Sequence, residues 1–446
     1  MKKALRSIFT PPIIIVFGLA VVVRFIYNMT AAAMYFPEHD SLTYQTIAYS
    51  ILREHCYCLL PHLPTVDRAP LWPAIIAVVY ALLGDQDRKV RMLLCVVGAI
   101  TCVLVYCFSR DLFGKRIGLF AGLLAAVYPY LYIYDGWLYS ESVYTCLLLA
   151  FCYTIYRIQR RPHWSLMVLG GVLLAALSLT RPNGLGILAF FVLWALFLGW
   201  RKLLAWRTVL QSVIIISGIT IVIIAPWTVR NYMVTKSFVP IAVGDGKVLI
   251  GAYNDMILQR PQYLAIWVNP PESRPSVYNK FPANCAGSCE VAREQAYKAD
   301  AEHWVKTHTN EMPRLLALHF INLWQIDTQE ADLPINRFPH QRSSQLIVLM
   351  IRIFTPIVFL LAAIGLIVTR KRWPDLLFFY LNILFTIAYS VFFYGMARFR
   401  APIEPMLLIL GAGAVWWITE KFRKREMHEK KPDERETRTS VSVTHS

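Results

Sequence analysis

The chain has 446 residues, of which 57% are hydrophobic and only 16% are charged. A soluble domain carries roughly 25% charged residues, so this composition excludes an ordinary soluble protein and predicts an all-α polytopic membrane protein. The net charge of +17 would suit nucleic acid, but the Lys and Arg residues cluster between apolar runs, as membrane topology requires. We therefore expect contact with membrane lipids and no nucleic-acid partner.

Ten apolar runs approach or reach the roughly 20 residues that a helix needs to cross a bilayer. With the N-terminus inside, nearly all basic clusters fall on the cytoplasmic side, as the positive-inside rule demands. We expect about ten to twelve transmembrane helices in a plasma (inner) membrane, with the larger loops at its outer face. The runs lie at 9–29, 90–109, 117–134, 140–156, 165–180, 184–200, 208–226, 346–369, 374–394 and 401–419.

The first outer loop, 30–89, contains the segment that draws most attention. Glu38 and Asp40 directly follow the first apolar run, and residues 41–53 have apolar side chains at helical spacing. Asp40 has two open interpretations. It is either an N-cap of that helix, or a general base within hydrogen-bond reach of an acceptor hydroxyl. The two roles are compatible, because one carboxylate oxygen can cap while the other faces a substrate.

A second apolar stretch in this loop, 69–84, is short and contains Pro70 and Pro73. If it crossed the membrane, every later loop would change sides and the positive-inside pattern would be lost. We therefore predict a re-entrant or interfacial helix, which is tolerated at membrane depth where protein covers it.

Acids and arginines recur at the predicted outer ends of later spans. Any one of these arginines fits a headgroup anchor, and Asp135 fits a structural ion pair. Arg398 and Arg400 fit the anchor role less well, because positive charge is disfavoured on the outer side and a guanidinium suits phosphate. We hypothesise that these side chains meet Asp40 in one pocket. They are Asp135, Glu141, Arg181, Arg230, Arg398 and Arg400.

The long loop between the seventh and eighth spans is the one place for a soluble-looking subdomain. Residues 290–308 predict a helix, and 312–326 predict an interfacial helix. The sequence thus divides into four parts: an N-terminal catalytic module (1–226), a large outer loop (227–345), C-terminal transmembrane helices (346–419) and a disordered cytoplasmic tail (420–446).

The nine cysteines divide by location. Five lie in apolar spans, where a small hydrophobic role is the default. Cys56, Cys58, Cys285 and Cys289 lie in outer loops, where disulfides persist. A bridge between Cys285 and Cys289, or bridges across the two loops, are both open. No cluster of His or acids at ligand spacing accompanies them, so we assign no metal ligands.

At this point the sequence resembles the membrane glycosyltransferases of family 39, which include protein O-mannosyltransferases and lipid A aminoarabinose transferases and have the GT-C fold. The resemblance implies inverting transfer of a hexose or pentose from a polyprenyl-phosphate carrier to an acceptor at the outer face. Asp40 would then be the general base, and the arginines would hold the carrier phosphate. The matching segments are 39–44, 68–73, 135–141, 179–182, 226–231 and 398–402.

We also expect Glu38, Tyr44 and Arg68 to contribute to substrate binding, and the last two lie within the matching segments. The sequence departs from the eukaryotic mannosyltransferases in two respects: His39-Asp40-Ser41 stands where those enzymes have an adjacent Asp-Glu pair, and the sequence lacks their large soluble C-terminal domain. These departures leave open whether the acceptor is a lipid, a glycan or a protein, and whether a divalent metal takes part. A function of a different class, a secondary transporter or lipid flippase, would also explain many spans with embedded polar residues. The lack of a visible inverted repeat argues against it.

Overall fold

The computed structural model describes residues 10–260 and 264–429. The regular secondary structure in these residues is helical, apart from one short two-stranded ribbon. The chain begins with α1 (Pro11–Met29), α2 (His39–Glu54), the antiparallel strands β1 (Cys58–Leu60) and β2 (Leu63–Pro64), and α3 (Leu71–Leu83). It continues with α4 (Asp87–Phe113), α5 (Lys115–Val127), α6 (Glu141–Arg160), α7 (Trp164–Thr180), α8 (Gly184–Trp200) and α9 (Trp206–Thr235).

The second part of the chain contains α10 (Asp245–Ala252), α11 (Met256–Gln259), α12 (Pro270–Ser273), α13 (Pro275–Tyr278), α14 (Ser288–Thr307), α15 (Met312–Leu323) and α16 (Pro334–Arg337). It ends with α17 (Arg342–Val368), α18 (Trp373–Phe393) and α19 (Glu404–Glu429). Short 3-10 turns lie at Pro129–Leu131, Ile133–Gly136, Arg370–Arg372 and Ala397–Ile403.

A helix lies at each of the ten predicted spans, and the all-α polytopic membrane architecture is confirmed. Three shorter apolar helices, Leu71–Leu83, Trp164–Thr180 and Gly184–Trp200, accompany six that are long and apolar enough to cross a membrane. Within the described residues these six are Pro11–Met29, Asp87–Phe113, Trp206–Thr235, Arg342–Val368, Arg370–Phe393 and Ala397–Lys424. At about 20 Å long, the 13-residue helix α3 is too short to cross a bilayer alone, which agrees with the predicted re-entrant or interfacial role.

Two helices of the N-terminal half end seven or more residues from the predicted bounds. Helix α5 stops at Val127, seven residues early, because Pro129 begins a 3-10 turn. Helix α9 continues through Pro226 to Thr235, so the predicted boundary at 226 falls inside a helix. Trp227 and Asn231 hold this extension by donating to the backbone carbonyl of Ile241, at 2.7 and 2.9 Å.

At the C-terminus, α19 runs to Glu429 and includes the first ten residues of the segment predicted to be a disordered tail. The rest of that segment, 430–446, lies outside the described residues, as does the basic start of the chain.

The loop after α9 forms a helical subdomain with its own apolar core. Trp304 of α14, Leu315 of α15 and Tyr253 pack together, and Phe393 at the end of α18 joins the same cluster. The predicted helix at 290–308 is confirmed as α14, and the one at 312–326 is confirmed as α15, which ends three residues earlier. This subdomain therefore rests directly on the transmembrane bundle.

Both of the loops predicted to be outer contain a disulfide bond. Cys56 pairs with Cys58 and Cys285 with Cys289, with Cα–Cα distances of 5.3 and 5.2 Å. Each loop is thus bridged within itself rather than to the other. The five cysteines in the apolar spans are free.

The two ends of the bundle differ in charge. Helix α6 begins at Glu141 among acids and arginines and ends about 30 Å away at Arg160, which contacts Asp375 of α18. Nearby, Arg372 donates to the carbonyl of Leu112. The basic clusters predicted to be cytoplasmic thus lie at the end of the bundle opposite Glu141.

Candidate active site

A cavity of about 720 Å³ opens at the Glu141 end of the bundle, between the membrane helices and the outer subdomain. One part of its lining is charged and comes from α2, the loop before α3, the turn after α7, α10, the segment before α16 and the turn between α18 and α19. The other part is apolar or aromatic and comes from α6, α8 and α18. The charged lining residues are Asp40, Asp67, Arg68, Arg181, Asp245, Lys247, Glu330, Asp332 and Arg398.

Asp40 lies in the first turn of α2 and points its carboxylate into this cavity. The N-cap position belongs to Glu38, which makes no side-chain cap, and both oxygens of Asp40 face guanidinium groups. Arg68 Nη2 is 2.8 Å from Oδ1, and Arg398 Nη2 is 3.5 Å from Oδ2. The Asp40 side chain remains 38% exposed. The geometry thus supports an open, ion-paired carboxylate rather than the N-cap interpretation.

The surrounding charges set the ionisation of Asp40. Burial acts to raise the pKa of this carboxyl group, but Arg68, Arg398, Lys247 and Arg181 outweigh it and hold the pKa well below its usual range. Asp40 is therefore an anion at every pH at which a membrane enzyme works.

Glu141 holds two of the cavity arginines from behind. It is 1% exposed, lies at the start of α6 and contacts the guanidinium groups of both Arg181 and Arg398 without lining the main cavity itself. Arg181 also donates to Ser140 Oγ at 2.8 Å. Because Arg181 precedes Pro182, its backbone is extended rather than helical, which ends α7 and turns the side chain toward the cavity.

Arg398 is the most connected of these cations. Its three nitrogens reach three carboxylates: Nε contacts Glu141, Nη1 lies 3.1 Å from Glu330, and Nη2 faces Asp40. Its guanidinium carbon also lies 4.1 Å from the centre of the Tyr139 ring, a cation–π contact. A planar fork of this kind fixes the relative positions of all three acids.

Tyr44 and Arg68 complete the group of predicted residues that the structure brings together. Tyr44 follows Asp40 by one helical turn, and the Arg68 guanidinium carbon lies 5.9 Å from the centre of its ring. Arg68 is also 2.8 Å from Asp67, so it carries two acidic partners. Asp40, Tyr44, Arg68, Arg181 and Arg398, which lie up to 358 positions apart in the chain, therefore line one cavity.

Five predicted substrate-binding residues do not line the cavity: besides Glu141, which lies behind it, and Glu38, which lies at its rim, three lie elsewhere. Arg400 is fully buried on the other side of its 3-10 turn, 2.5 Å from Glu404, and it donates to the carbonyls of Leu323 and Gln325. Arg230 donates to the backbone carbonyls of the first loop at Thr65 (2.7 Å) and Tyr57 (3.1 Å). Both arginines support the segments that line the cavity rather than a ligand. Asp135 is the third.

Asp135 forms a structural ion pair inside the bundle. Its Oδ2 lies 2.7 Å from Arg24 Nε, and both side chains are buried. Gly98 makes the room, since a Cβ there would come within 2.4 Å of each of the two side chains. The pairing with α1 corrects the assignment of Asp135 to substrate binding and agrees with its alternative structural interpretation.

Replacing Asp135 with Leu is expected to lower the free energy of unfolding by about 3–5 kcal/mol, because Arg24 would be left buried without a counter-ion. The double variant R24M/D135L should recover most of this loss, since a matched apolar pair replaces a buried ion pair at little cost. Thermal unfolding in detergent measures both effects. A double variant no more stable than D135L would show that the pair is not the reason for the loss.

Glu38 lies at the rim and does not line the cavity. Its carboxylate contacts Arg337 of α16, which also donates to the carbonyl of Phe36 at 2.9 Å. Glu38 therefore ties the first loop to the outer subdomain, which corrects its predicted place among the substrate contacts.

The structure adds five charged groups to the cavity that sequence reasoning did not select, namely Asp67, Asp245, Lys247, Glu330 and Asp332. Asp332 accepts from Tyr139 at 2.8 Å, and burial raises the pKa of the Asp332 and Glu330 carboxyl groups. Asp67, adjacent to Arg68, had a usable signal. Glu330 and Asp332 lie in an irregular segment, and Asp245 and Lys247 lie in the short helix α10, which no apolar periodicity marks in the sequence.

The cavity does not fit the divalent metal that the sequence left possible. Hard cations prefer several oxygen ligands, whereas both Asp40 oxygens face guanidinium groups. Across residues 10–260 and 264–429, no three His, Cys, Asp or Glu side chains are arranged to hold a metal ion. The mechanism below therefore uses the arginines alone.

The comparisons with known proteins agree with this architecture. Residues 67–229 match the family described as dolichyl-phosphate-mannose-protein mannosyltransferase. A comparison with curated protein sequences gave no significant match.

Among solved structures, the Archaeoglobus fulgidus oligosaccharyltransferase superposes with a TM-score of 0.55 at 11% identity, over 93% of this chain and 50% of its own. AglB from the same organism, in complex with an inhibitory peptide and a dolichol-phosphate, gives 0.53 at 11% identity, over 95% and 51%. ArnT from Cupriavidus metallidurans, bound to undecaprenyl phosphate, gives 0.41 at 14% identity, over 90% and 77%.

The chain spans about half the length of the archaeal proteins. At 11% identity these superpositions establish the fold, and the family match over 67–229 supplies the relationship in sequence. The resemblance drawn from the sequence is confirmed at this level: residues 67–229 are similar to the mannosyltransferase family, and the chain is a multi-pass membrane protein with the GT-C type of fold.

Proposed function

We propose that the protein transfers a sugar from a polyprenyl-phosphate carrier to a hydroxyl of a lipid, glycan or protein acceptor. The observation that carries this proposal is the meeting of Asp40 with Arg68 and Arg398 in one solvent-open cavity. A base for the acceptor and cations for a departing phosphate are the two requirements of this reaction. The matched family and the dolichol-phosphate complex of AglB support the lipid-linked donor.

The two linings of the cavity suit the two parts of such a donor. Ile187 of α8 and Phe385, Tyr389 and Phe393 of α18 form an apolar wall on membrane helices, along which a polyprenyl chain can lie. The charged side faces the outer subdomain and suits the phosphate and the sugar. The donor would enter from the bilayer and present its anomeric carbon near Asp40.

The chemistry is a single displacement. Asp40 accepts the proton of the acceptor hydroxyl, the oxygen attacks the anomeric carbon, and the bond from that carbon to the carrier phosphate oxygen breaks. The phosphate leaves with an additional negative charge, which Arg68, Arg181 and Arg398 stabilise. Attack opposite the leaving group inverts the anomeric configuration.

The low pKa of Asp40 fits this sequence of events. With the cavity cations paired only to protein carboxylates, their field keeps Asp40 ionised and weakly basic. A bound phosphate adds negative charge beside the same cations, which weakens their pull and makes Asp40 a stronger base. The site would thus become competent for proton abstraction when the donor is present.

We place this site at the outer face of a plasma (inner) membrane. The support is the separation of charge along the bundle: Arg160 and Arg372, from the clusters predicted to be cytoplasmic, lie near one end, and the cavity lies at the other.

The test is to incubate the purified protein with candidate polyprenyl-phosphate sugars and acceptors, and to measure release of polyprenyl phosphate by mass spectrometry. We expect stoichiometric formation of free carrier and of a new glycosidic bond. A transporter or flippase would bind or move the lipid and leave its sugar attached, so binding without carrier release would reject the enzymatic function.

A further inference from the structure

Helix α14 of the outer subdomain places two buried glutamates behind the cavity wall. Glu290 and Glu294 lie one turn apart, are 2% and 7% exposed, and do not line the cavity. Neither forms an ion pair within the described part of the chain. Burying a carboxylate without a counter-ion is costly, so their hydrogen bonds indicate their role.

Each glutamate fixes the backbone of a segment that carries a cavity cation. Glu290 accepts from Thr65 Oγ1 at 2.6 Å and from the backbone N–H of Val66 at 2.8 Å, two residues before Arg68. Glu294 accepts from the backbone N–H of Lys247 at 2.9 Å. The outer subdomain therefore holds two parts of the cavity wall from one helix.

Lys247 differs from the other cavity cations. Arg68, Arg181 and Arg398 each have carboxylate partners at ion-pair distance. Within residues 10–260 and 264–429, Lys247 is the cavity-lining Lys or Arg that has none. Its charge is therefore available to an incoming anion without breaking an existing pair.

The start of α10 is seated tightly on α14, which makes the position of Lys247 depend on Glu294. A Cβ at Gly246 would come within 2.2 Å of the backbone oxygen of Glu294, so only glycine allows this approach. Oε2 of Glu294 then receives the next backbone N–H, that of Lys247. The glutamate acts as a cap supplied by a neighbouring helix.

We propose that Glu294 is a positioning residue that holds Lys247 in place as a contact for the phosphate of the lipid carrier. The inference rests on the proposed function, and it adds a phosphate contact from the outer subdomain to those from the membrane helices. The outer loop thereby takes part in donor capture.

If Glu294 positions Lys247, binding of the carrier phosphate should depend on whether Glu294 is ionised, which a purely structural glutamate would not require. Burial raises the pKa of Glu294 to about 7, supported by Asp67 and opposed by the Lys247 N–H, Arg293 and the Lys247 charge. These are the charged groups that face it from the first loop, from its own helix and from α10. Above pH 7 the anionic form holds the N–H strongly, and below pH 7 the neutral acid holds it weakly.

The experiment measures the affinity of the purified full-length chain for polyprenyl phosphate, with polyprenol and inorganic phosphate as comparison ligands. We expect K247Q to weaken polyprenyl phosphate binding about tenfold or more, the usual loss for a charge-assisted hydrogen bond, and to leave polyprenol binding unchanged. Lys280, exposed in the outer loop, supplies the matched control K280Q. We expect inorganic phosphate to compete only weakly, since it lacks the lipid chain.

The decisive step is the double-variant comparison. E294A should weaken polyprenyl phosphate binding in the wild-type background. In the K247Q background, the same substitution should change the affinity less than about twofold. E294Q, which keeps a neutral acceptor, should match the wild type at pH 6 and bind more weakly at pH 8. Protonation of the ligand phosphate affects both proteins equally, so it cancels in the ratio of the E294Q and wild-type affinities.

The failures are distinct. The positioning role would be overturned if E294A weakened polyprenyl phosphate binding as much in the K247Q background as in the wild type. It would also be overturned if the ratio of the E294Q and wild-type affinities did not change with pH. If K247Q bound polyprenyl phosphate with the same affinity as the wild type, Lys247 would not be a phosphate contact, and the proposed function would be unaffected. A wild-type protein that binds polyprenyl phosphate no better than polyprenol would reject both.

Discussion

Asp40→Asn should reduce the turnover number for sugar transfer by about 10²- to 10⁴-fold, the range that a positioned general base contributes. The amide cannot take the proton of the acceptor hydroxyl, but it keeps the shape of the side chain and an oxygen that accepts from Arg68. The protein should remain folded, because Arg68 retains Asp67, and Arg398 retains Glu141 and Glu330. Initial rates at saturating donor measure the effect.

The donor KM provides a second readout for this variant. Removing the negative charge of Asp40 leaves the cavity more positive, so the phosphate carrier should bind as well as before or better. The matched control is D85N, because Asp85 lies in the same outer loop and pairs at 3.4 Å with the exposed Arg53, outside the cavity. We expect D85N to change turnover less than twofold. Near-normal turnover in D40N would remove Asp40 from the role of base.

The pH dependence of this reaction follows from the sign of the Asp40 shift. The arginines hold the pKa of Asp40 well below its usual range, so the free protein loses this anion only under strongly acidic conditions. The acidic limb of kcat/KM, which reports the free enzyme, should therefore not contain a titration of Asp40 near pH 4. An acidic limb that D40N abolishes, with an apparent pKa above 4, would contradict the arrangement of charges around Asp40.

The sequence predicted the parts of this site that lie next to strong local signals. Apolar runs located the membrane helices, and the helical spacing after Asp40 located α2. Arg181 was selected because it lies at the predicted outer end of a span, and the structure turns it into the cavity at that position. These features depend on residues that are neighbours in the sequence, and tertiary packing does not change them.

The remaining assignments depended on partners that no local pattern encodes. Arg398 and Arg400 are two residues apart on a 3-10 turn, where about 240° of rotation separates them, so only one faces the cavity. Asp135 has Arg24 as its partner, 111 positions earlier in the chain. Lys247 reaches the site because α10 rests on α14, a contact between two helices that joins residues 47 positions apart in the long segment between α9 and α17.

Arg398 should be the most sensitive cation in the protein, and its replacement by Lys should be nearly as damaging as its replacement by Ala. The guanidinium of Arg398 contacts Glu141, Glu330 and Asp40 through three different nitrogens. An ammonium group has one nitrogen and cannot reproduce that planar arrangement, although it keeps the charge. R398A leaves Glu330, whose side chain is only 15% exposed, without its cation and removes one of the two cations of the buried Glu141, so it should lower the free energy of unfolding by about 3 kcal/mol.

Because Arg398 is proposed to hold the departing phosphate, both variants should also raise the donor KM and lower turnover, with a loss in kcat/KM of about 10²-fold or more for R398K. Arg352 supplies the matched control: it pairs with Asp327 through two nitrogens at 3.1 and 3.0 Å but is 61% exposed, so R352K should leave both the unfolding temperature and the transfer rate unchanged. Rates are referred to the folded fraction, measured by thermal unfolding in detergent. If R398K kept wild-type kcat/KM, a positive charge alone would suffice at this position, and the planar contact with three acids would have no part in the reaction.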